Sequence, residues 1–461
     1  MTVITVIGAG SASFGENTLS ALLRSKKLKG STLRLVDRNA QSLDIVHRLA
    51  NRLNREWEAG FNITAHTHHK DALQDSNFVV SAIEVGPREE LWKSDFEIPL
   101  KYGVRQPYAE NGGPGGFAHA ARNVKPVLEI AHDMELACPD AWFINFTNPM
   151  VRICDVVNRY SKIKVVGLCH QIYQGYMMAG VALAKDLNLQ VPDGLESTHA
   201  DILQHPLQQM MIHQALPLID IQAAGTNHFT WILSIHNKQT GEDLYPLLRK
   251  RFFELDEKFE PLTRRVFLDF NMFPVPGDTH LCEYLPWMSD PVSKPYESFN
   301  IRLYDWDVMA SVRDFSLDRL NDMANGNATI DGLLETDSEG ALEMIENIAY
   351  AGNHYHLAAN LPNDGQIENL PTDAIVETPV HIGGAGIQPV HVGKLPEPIA
   401  ELCRREITVA QLCIDAAVEG DYQKALQCLL LDPVITDMNV AKNILDDYLQ
   451  TYKQHLPQFW K

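Results

Sequence analysis

Residues 2–37 decide the fold. TVITVI at 2–7 runs straight into Gly8-Ala9-Gly10-Ser11-Ala12-Ser13, residues 17–28 carry Leu19, Leu22 and Leu23 at helical spacing, and TLRLVD at 32–37 ends on Asp37. The β-branched run suits a strand buried on both faces, so the order is strand, glycine turn, helix, strand. Gly8 permits the tight turn, Gly10 lets backbone approach a pyrophosphate, and the helix after Ser13 directs free N–H groups at the anion. Gly8, Gly10, Ser11, Ser13, Phe14 and Asp37 are therefore the expected dinucleotide contacts. The carboxylate of Asp37 would accept hydrogen bonds from the adenosine ribose and repel a 2′-phosphate, which favours NAD over NADP, although Arg38 beside it works the other way. Ser13 replaces the third glycine of the usual GxGxxG, so the turn alone would also fit an ordinary strand-to-helix connection.

Working outward, NFVVSAIEV (77–85), AWFINFT (141–147) and KVVGLC (164–169) read as further strands, with helices near 40–56 and 118–137. The fold class is α/β: an N-terminal Rossmann-type, doubly wound parallel sheet, joined to a C-terminal α+β catalytic domain as in lactate and malate dehydrogenases. A chain of 461 residues is too long for one core. We expect an NAD-binding domain over 1–168 and a substrate- and metal-binding domain over 169–461. A net charge of −20 argues against nucleic acid or an anionic membrane as partner. No stretch reaches the roughly 20 apolar residues of a spanning helix, and no basic leader precedes the first strand, so a cytoplasmic location is expected. Seven scattered cysteines form neither a zinc knuckle nor a disulfide framework.

In a doubly wound sheet ligands gather at the carboxyl ends of the strands. Three of those ends carry polar chemistry. Gly86-Pro87-Arg88 offers a guanidinium that could clamp a substrate, Thr147-Asn148-Pro149 offers a carboxamide that both donates and accepts, and Cys169-His170 offers a thiolate and an imidazole. Glu110 to Gly116 is a glycine-dense segment leading into a helix that bears Arg122; it reads as close backbone approach or a lid. Downstream, GTNHFTW (225–231) supplies His228. Brought together, Cys169 and His228 would bind a borderline divalent cation and leave positions open.

In this order GAGSASF, the Glu110–Gly116 segment, TNP, GLCH and GTNHFTW closely resemble family 4 of the glycoside hydrolases. GDTHLCEYLPW (277–287) and NLPNDGQIENLPTDAIVETPV (360–380) extend the likeness over most of the chain. NAD-dependent members of that family depart from the two-carboxylate mechanism. The resemblance implies that NAD takes hydride from sugar C3, a base removes the C2 proton, the C1 group is eliminated, water adds, and the hydride returns. It also implies a metal, usually Mn2+, held by Cys169 and His228; substrate contacts from Arg88 and Asn148; and assistance to the leaving oxygen by His170. Asp278 is the expected C2 base, with Tyr284 and His280 as alternatives and Glu110 tuning it.

His170 after the metal cysteine resembles the branch acting on unphosphorylated α-galactosides, α-glucosides and uronides. The expected partner is thus a small glycoside. The likeness and the apolar helices near 395–450 suggest a homodimer or homotetramer. The alternatives are a sugar or hydroxy-acid dehydrogenase that releases NADH, and a nucleotide-sensing protein without chemistry.

Overall fold

A computed structural model describes residues 1–11, 17–195, 205–290 and 292–460. The expected Ser13 and Phe14 contacts lie outside the described residues. The first half alternates β1 (Val3–Ile7), α1 (Thr18–Arg24), β2 (Thr32–Val36), α2 (Ala40–Glu56), β3 (Asn62–His66), β4 (Phe78–Ser81), α3 (Arg88–Lys101), α4 (Gly113–Ala137), β5 (Trp142–Asn145), α5 (Met150–Tyr160) and β6 (Lys164–Gly167). Its strands pair in parallel in the order β3-β2-β1-β4-β5-β6. Helices cover both faces, and the strands show why. Val79, Phe143 and Val165 face one apolar core while their neighbours Val80, Ile144 and Val166 face the other. Successive residues point to opposite sides, so a strand apolar at every position must be buried twice.

The sheet continues without a break. Past β6, and the helix α6 (Ile172–Leu187) that follows it, come the antiparallel strands β7 (Ile219–Thr226), β8 (Phe229–Asn237), β9 (Phe273–Pro274), β10 (Asn353–Pro362), β11 (Ile375–Gly383) and β12 (Gly386–Pro389). They extend it in the order β10-β11-β7-β8-β9, with β12 on β11. Parallel pairing gives way to antiparallel at a single Asn360–Gly167 register pair, and one sheet runs through that point.

Two segments singled out in the sequence take definite places. Glu110 to Gly116 is no lid, because from Gly113 onward it is the first turn of α4. A Cβ on Gly115 would lie 2.6 Å from the Ala109 carbonyl oxygen and one on Gly116 2.3 Å from that of Asn111. Those glycines allow close packing, not mobility. The apolar C-terminal helices α8 (Glu397–Glu419), α9 (Tyr422–Leu431) and α10 (Met438–Thr451) pack within the chain, α8 on α4 and α5, α9 on α8, and α10 on α9 and α3.

Candidate active site

β1, β4, β5 and β6 are parallel neighbours, so Gly8, Arg88, Asn148 and Cys169 all follow strand ends on one edge of the sheet. His228 arrives from the other half. β7 and β8 form a hairpin in which Thr226 opposes Phe229, leaving Asn227-His228 as its two-residue tip. β7 lies on β11, β11 on β10 and β10 on β6, which sets the tip beside Cys169. Glu377, buried in β11, accepts from Asn227 Nδ2 at 2.7 Å and from Asn360 Nδ2 at 2.8 Å and so ties the tip down. Burial pushes its carboxyl up to about 7, although both amides work against that.

Cys169 Sγ lies 3.2 Å from His228 Nε2 across 59 positions of sequence. Burial, reinforced by His280 and His170, lowers the His228 pKa and keeps the imidazole neutral, the form in which a ring nitrogen ligates. Burial, with Glu377 adding to it, pushes the Cys169 thiol up. A divalent cation would reverse that and take the thiolate. Among the described residues no group of three or more His, Cys, Asp and Glu is placed to hold an ion. The pair therefore supplies two donors, and substrate or water oxygens would complete the shell.

Arg88, Glu110 and Asn148 meet in one network. Glu110 accepts from Arg88 Nη2 at 3.4 Å, from Asn148 Nδ2 at 3.3 Å and from Asn111 Nδ2 at 3.1 Å. Asn148 Oδ1 is buried with no protein partner, an acceptor left for a ligand hydroxyl. Arg88 also lies 3.8 Å from Glu84 and 4.0 Å from Glu89. Behind it His119 Nε2 bonds Glu84 at 2.7 Å. Burial alone would raise Glu84, but His119 and Arg88 outweigh it and hold the carboxyl at about 2.

Asp278 is placed differently from expectation. It is 1% exposed, and its two carboxylate oxygens accept the backbone N–H groups of Leu262 at 2.8 Å and Thr263 at 2.7 Å, the first turn of α7 (Pro261–Phe270). An oxygen pair committed to a helix N-terminus has little capacity left for a substrate proton. His280 instead stacks on His228 with ring centroids 4.7 Å apart, its Nδ1 3.4 Å from the buried carboxylate of Glu283. Tyr284 is buried below, its hydroxyl 3.4 Å from the His228 backbone nitrogen. His170 stands at the mouth, its side chain 67% exposed, with Nδ1 3.3 Å from Glu339. That carboxylate raises His170 to about 9.

The expected cofactor turn has the required backbone. Gly8 has φ +88°, and a Cβ there would lie 2.2 Å from the Ala82 carbonyl oxygen. Gly10 donates its N–H to Asp37 Oδ2 at 2.8 Å, which draws the end of β2 against the turn. Ser11 donates to the Gly8 carbonyl at 3.3 Å. Arg122, by contrast, is structural: it forms a buried bidentate pair with Asp95, 2.6 Å at each oxygen.

Residues 3–188 match the family 4 glycosyl hydrolases, and residues 223–435 match the C-terminal domain of the same family. The chain belongs to family 4 of the glycoside hydrolases. An α-galactosidase of Bacillus subtilis (strain 168) is 30% identical over the full length of both chains. An α-glucosidase of Erwinia rhapontici is 28% identical over 96% of each. A solved 6-phospho-α-glucosidase from gut microorganisms, in complex with NAD and Mn2+, superposes with a TM-score of 0.78 at 21% identity, covering 99% of each chain. Within this family 4 glycosidase, sequence reasoning missed Glu84, His119, Glu339 and Glu377. Only Glu84 and Glu377 carried a signal, each a lone carboxylate in an otherwise apolar run.

Proposed function

We propose that the enzyme hydrolyses unphosphorylated α-glycosides, of a galactoside, glucoside or uronide, with NAD at the Gly8–Asp37 turn and a divalent cation, Mn2+ or a similar ion, at Cys169 and His228. The observation that carries this reading is the 3.2 Å Cys169–His228 contact beside the Asn148–Glu110–Arg88 network. When bound, NAD would supply reversible hydride transfer at C3 of the sugar and the cation would acidify C2–H. The chain's own residues do the rest. Asn148 Oδ1 accepts from a sugar hydroxyl and Glu110 orients its amide. His280, positioned through Nδ1 by Glu283, takes the C2 proton on Nε2, an assignment that replaces Asp278 on geometry. His170, held by Glu339, gives its proton to the departing C1 oxygen.

Absence of phosphate from the substrate is supported by charge. Arg88 faces three carboxylates, Glu84, Glu89 and Glu110, so its positive charge is already compensated and a phosphate dianion would meet a net acidic surface, a repulsion that also ranks the neutral hexosides above a uronide. The α-galactosidase and α-glucosidase relatives support the linkage and the sugar class.

The test is turnover of chromogenic α-galactoside, α-glucoside and α-galacturonide, and of the 6-phosphates of the two hexosides, with NAD and Mn2+, in D2O. Cleavage of an unphosphorylated glycoside with deuterium entering C2 is expected. Stoichiometric NADH without cleavage would make the enzyme a dehydrogenase, and faster cleavage of the 6-phosphates would overturn the substrate class.

A further inference from the structure

Two arms of the active site lead outward along aromatic rings and meet at one residue. From the metal pair, buried His228 stacks on partly exposed His280, and His280 stacks on partly exposed Tyr108 with centroids 4.8 Å apart. This arm thus passes from a buried ring to two partly exposed ones. Tyr108 then meets the ring of Tyr304 edge-on at 5.8 Å. From the Asn148 network, the guanidinium of Arg88 lies 4.7 Å over Trp92, and Trp92 lies 4.7 Å from the same Tyr304. Trp306 packs on Tyr304 at 4.7 Å and on Trp92 at 5.1 Å.

Sequence alone joins none of these rings, since residues 92, 108 and 304–306 come from three separate segments. Short backbone links hold them in place: Tyr304 N–H donates to the Pro107 carbonyl at 2.9 Å, and Trp92 Nε1 donates to the Tyr108 carbonyl at 2.7 Å. Tyr108, Tyr304 and Trp306 each keep part of their surface exposed while Trp92 is buried beneath them. A ring cluster fixed by main-chain bonds and left partly open is a rigid, low-entropy contact surface.

From this we infer that Tyr108, Tyr304 and Trp306 form the aglycone subsite, and that it takes a neutral ring, a second pyranose or an aryl group, on its apolar face. Position supports the leaving-group side. The sugar to be cleaved is held at the metal pair and Asn148, and the ledge begins at the next exposed ring outward from both. Chemistry supports a neutral ring: the surface is aromatic, and Arg88, the cation stacked on Trp92, is compensated by carboxylates. The inference rests on the proposed α-glycosidase reading for the location of the cleaved sugar, but ring binding can be measured without turnover.

The experiment compares 4-nitrophenyl with methyl α-glycosides, as galactosides and glucosides, in the wild type, Tyr304→Leu and Tyr304→Phe. In Tyr304→Leu the ratio of kcat/KM for the nitrophenyl over the methyl glycoside falls about tenfold, through KM, and Tyr304→Phe restores it. A residue with a purely structural role would lower both substrates alike and leave the ratio unchanged, which would overturn the ledge. Calorimetric titration of NAD-free enzyme with the nitrophenyl glycosides gives the independent reading. Weaker binding in Tyr304→Leu than in wild type, with no cleavage by any form, would leave the ledge standing and remove the glycosidase reading. Equal binding by all three forms, or none by the wild type, would remove the ledge.

Discussion

At the scale of single residues the site divides into groups that meet a ligand and groups that hold them. In the proposed reading Cys169 belongs to the first. Removing even an indirect support of a metal ligand commonly costs about 10–100-fold in affinity, so Cys169→Ser should weaken Mn2+ binding by at least about that much and abolish turnover. Equilibrium dialysis against Mn2+ checks this, and unchanged affinity would place the metal elsewhere. His280 and Asp278 separate by role. His280→Gln should lower kcat about 10²–10⁴-fold and suppress deuterium entry at C2. Asp278→Asn should keep most of the exchange activity, because only one of its two bonds to α7 is weakened. If the two variants showed the reverse pattern, Asp278 would be the base after all. The sequence put Asp278 first, with His280 and Tyr284 as alternatives, all within seven residues. What distinguishes them is direction, set by whether a carboxylate is consumed by a helix N-terminus some fifteen residues earlier in the chain.

At the scale of elements, two devices locate the site. One is the Asp278 bond pair at the start of α7. Truncation by Asp278→Ala leaves two N–H groups without acceptors and should cost about 1–2 kcal/mol in urea unfolding. The other ties α3 and α4 to the C-terminal helix. Asp95 of α3 receives Arg122 of α4 through both oxygens, and the hydroxyl of Tyr452, just past the end of α10, donates to it at 2.6 Å. Tyr448 donates to the Asp95 backbone carbonyl at 2.7 Å, and Arg122 lies 4.4 Å over the Tyr452 ring. Arg122→Met strands a buried carboxylate and should cost about 3–5 kcal/mol, whereas Arg122→Met with Asp95→Leu should recover much of it. Additive losses in that double-mutant cycle would show that the pair is not coupled. Elements were legible where pattern is local: the expected helix at 40–56 coincides with α2. They stayed ambiguous where the reason for a residue lies across the chain, as with the glycines of α4, read as close backbone approach or a lid and decided for close approach by Ala109 and Asn111, which press against them.

At the scale of the whole molecule, acid groups sealed inside a strongly acidic chain make stability depend on pH. Burial raises Asp432 from an ordinary 3.8 to about 7, although its bond from the Val434 N–H and the charge of Arg152 oppose the shift. The folded state therefore binds this proton more tightly than the unfolded one. Its stabilising contribution is complete below pH 3.8 and is lost as pH rises through 7, each pH unit between costing about 1.4 kcal/mol. Asp432→Asn retains the oxygen that accepts from Val434 and should flatten the decline between pH 5 and 8 in urea titrations. An equally steep decline in the variant would rule out this carboxyl as its source. By itself the sequence determined the dinucleotide half, because a parallel strand buried on both faces and a glycine turn leave local signatures, and it determined which residue types could do chemistry, because Cys169, His228 and Asn148 stand in recognisable motifs. Only the tertiary structure decided which of them converge. Its continuous sheet carries the β7–β8 tip to the end of β6, so the turn at Gly8, first read as the start of a nucleotide site, lies on the same sheet edge as the Cys169–His228 pair, 59 residues apart in sequence. Contacts between distant strands depend on pairing order and register, and no short stretch of chain encodes either.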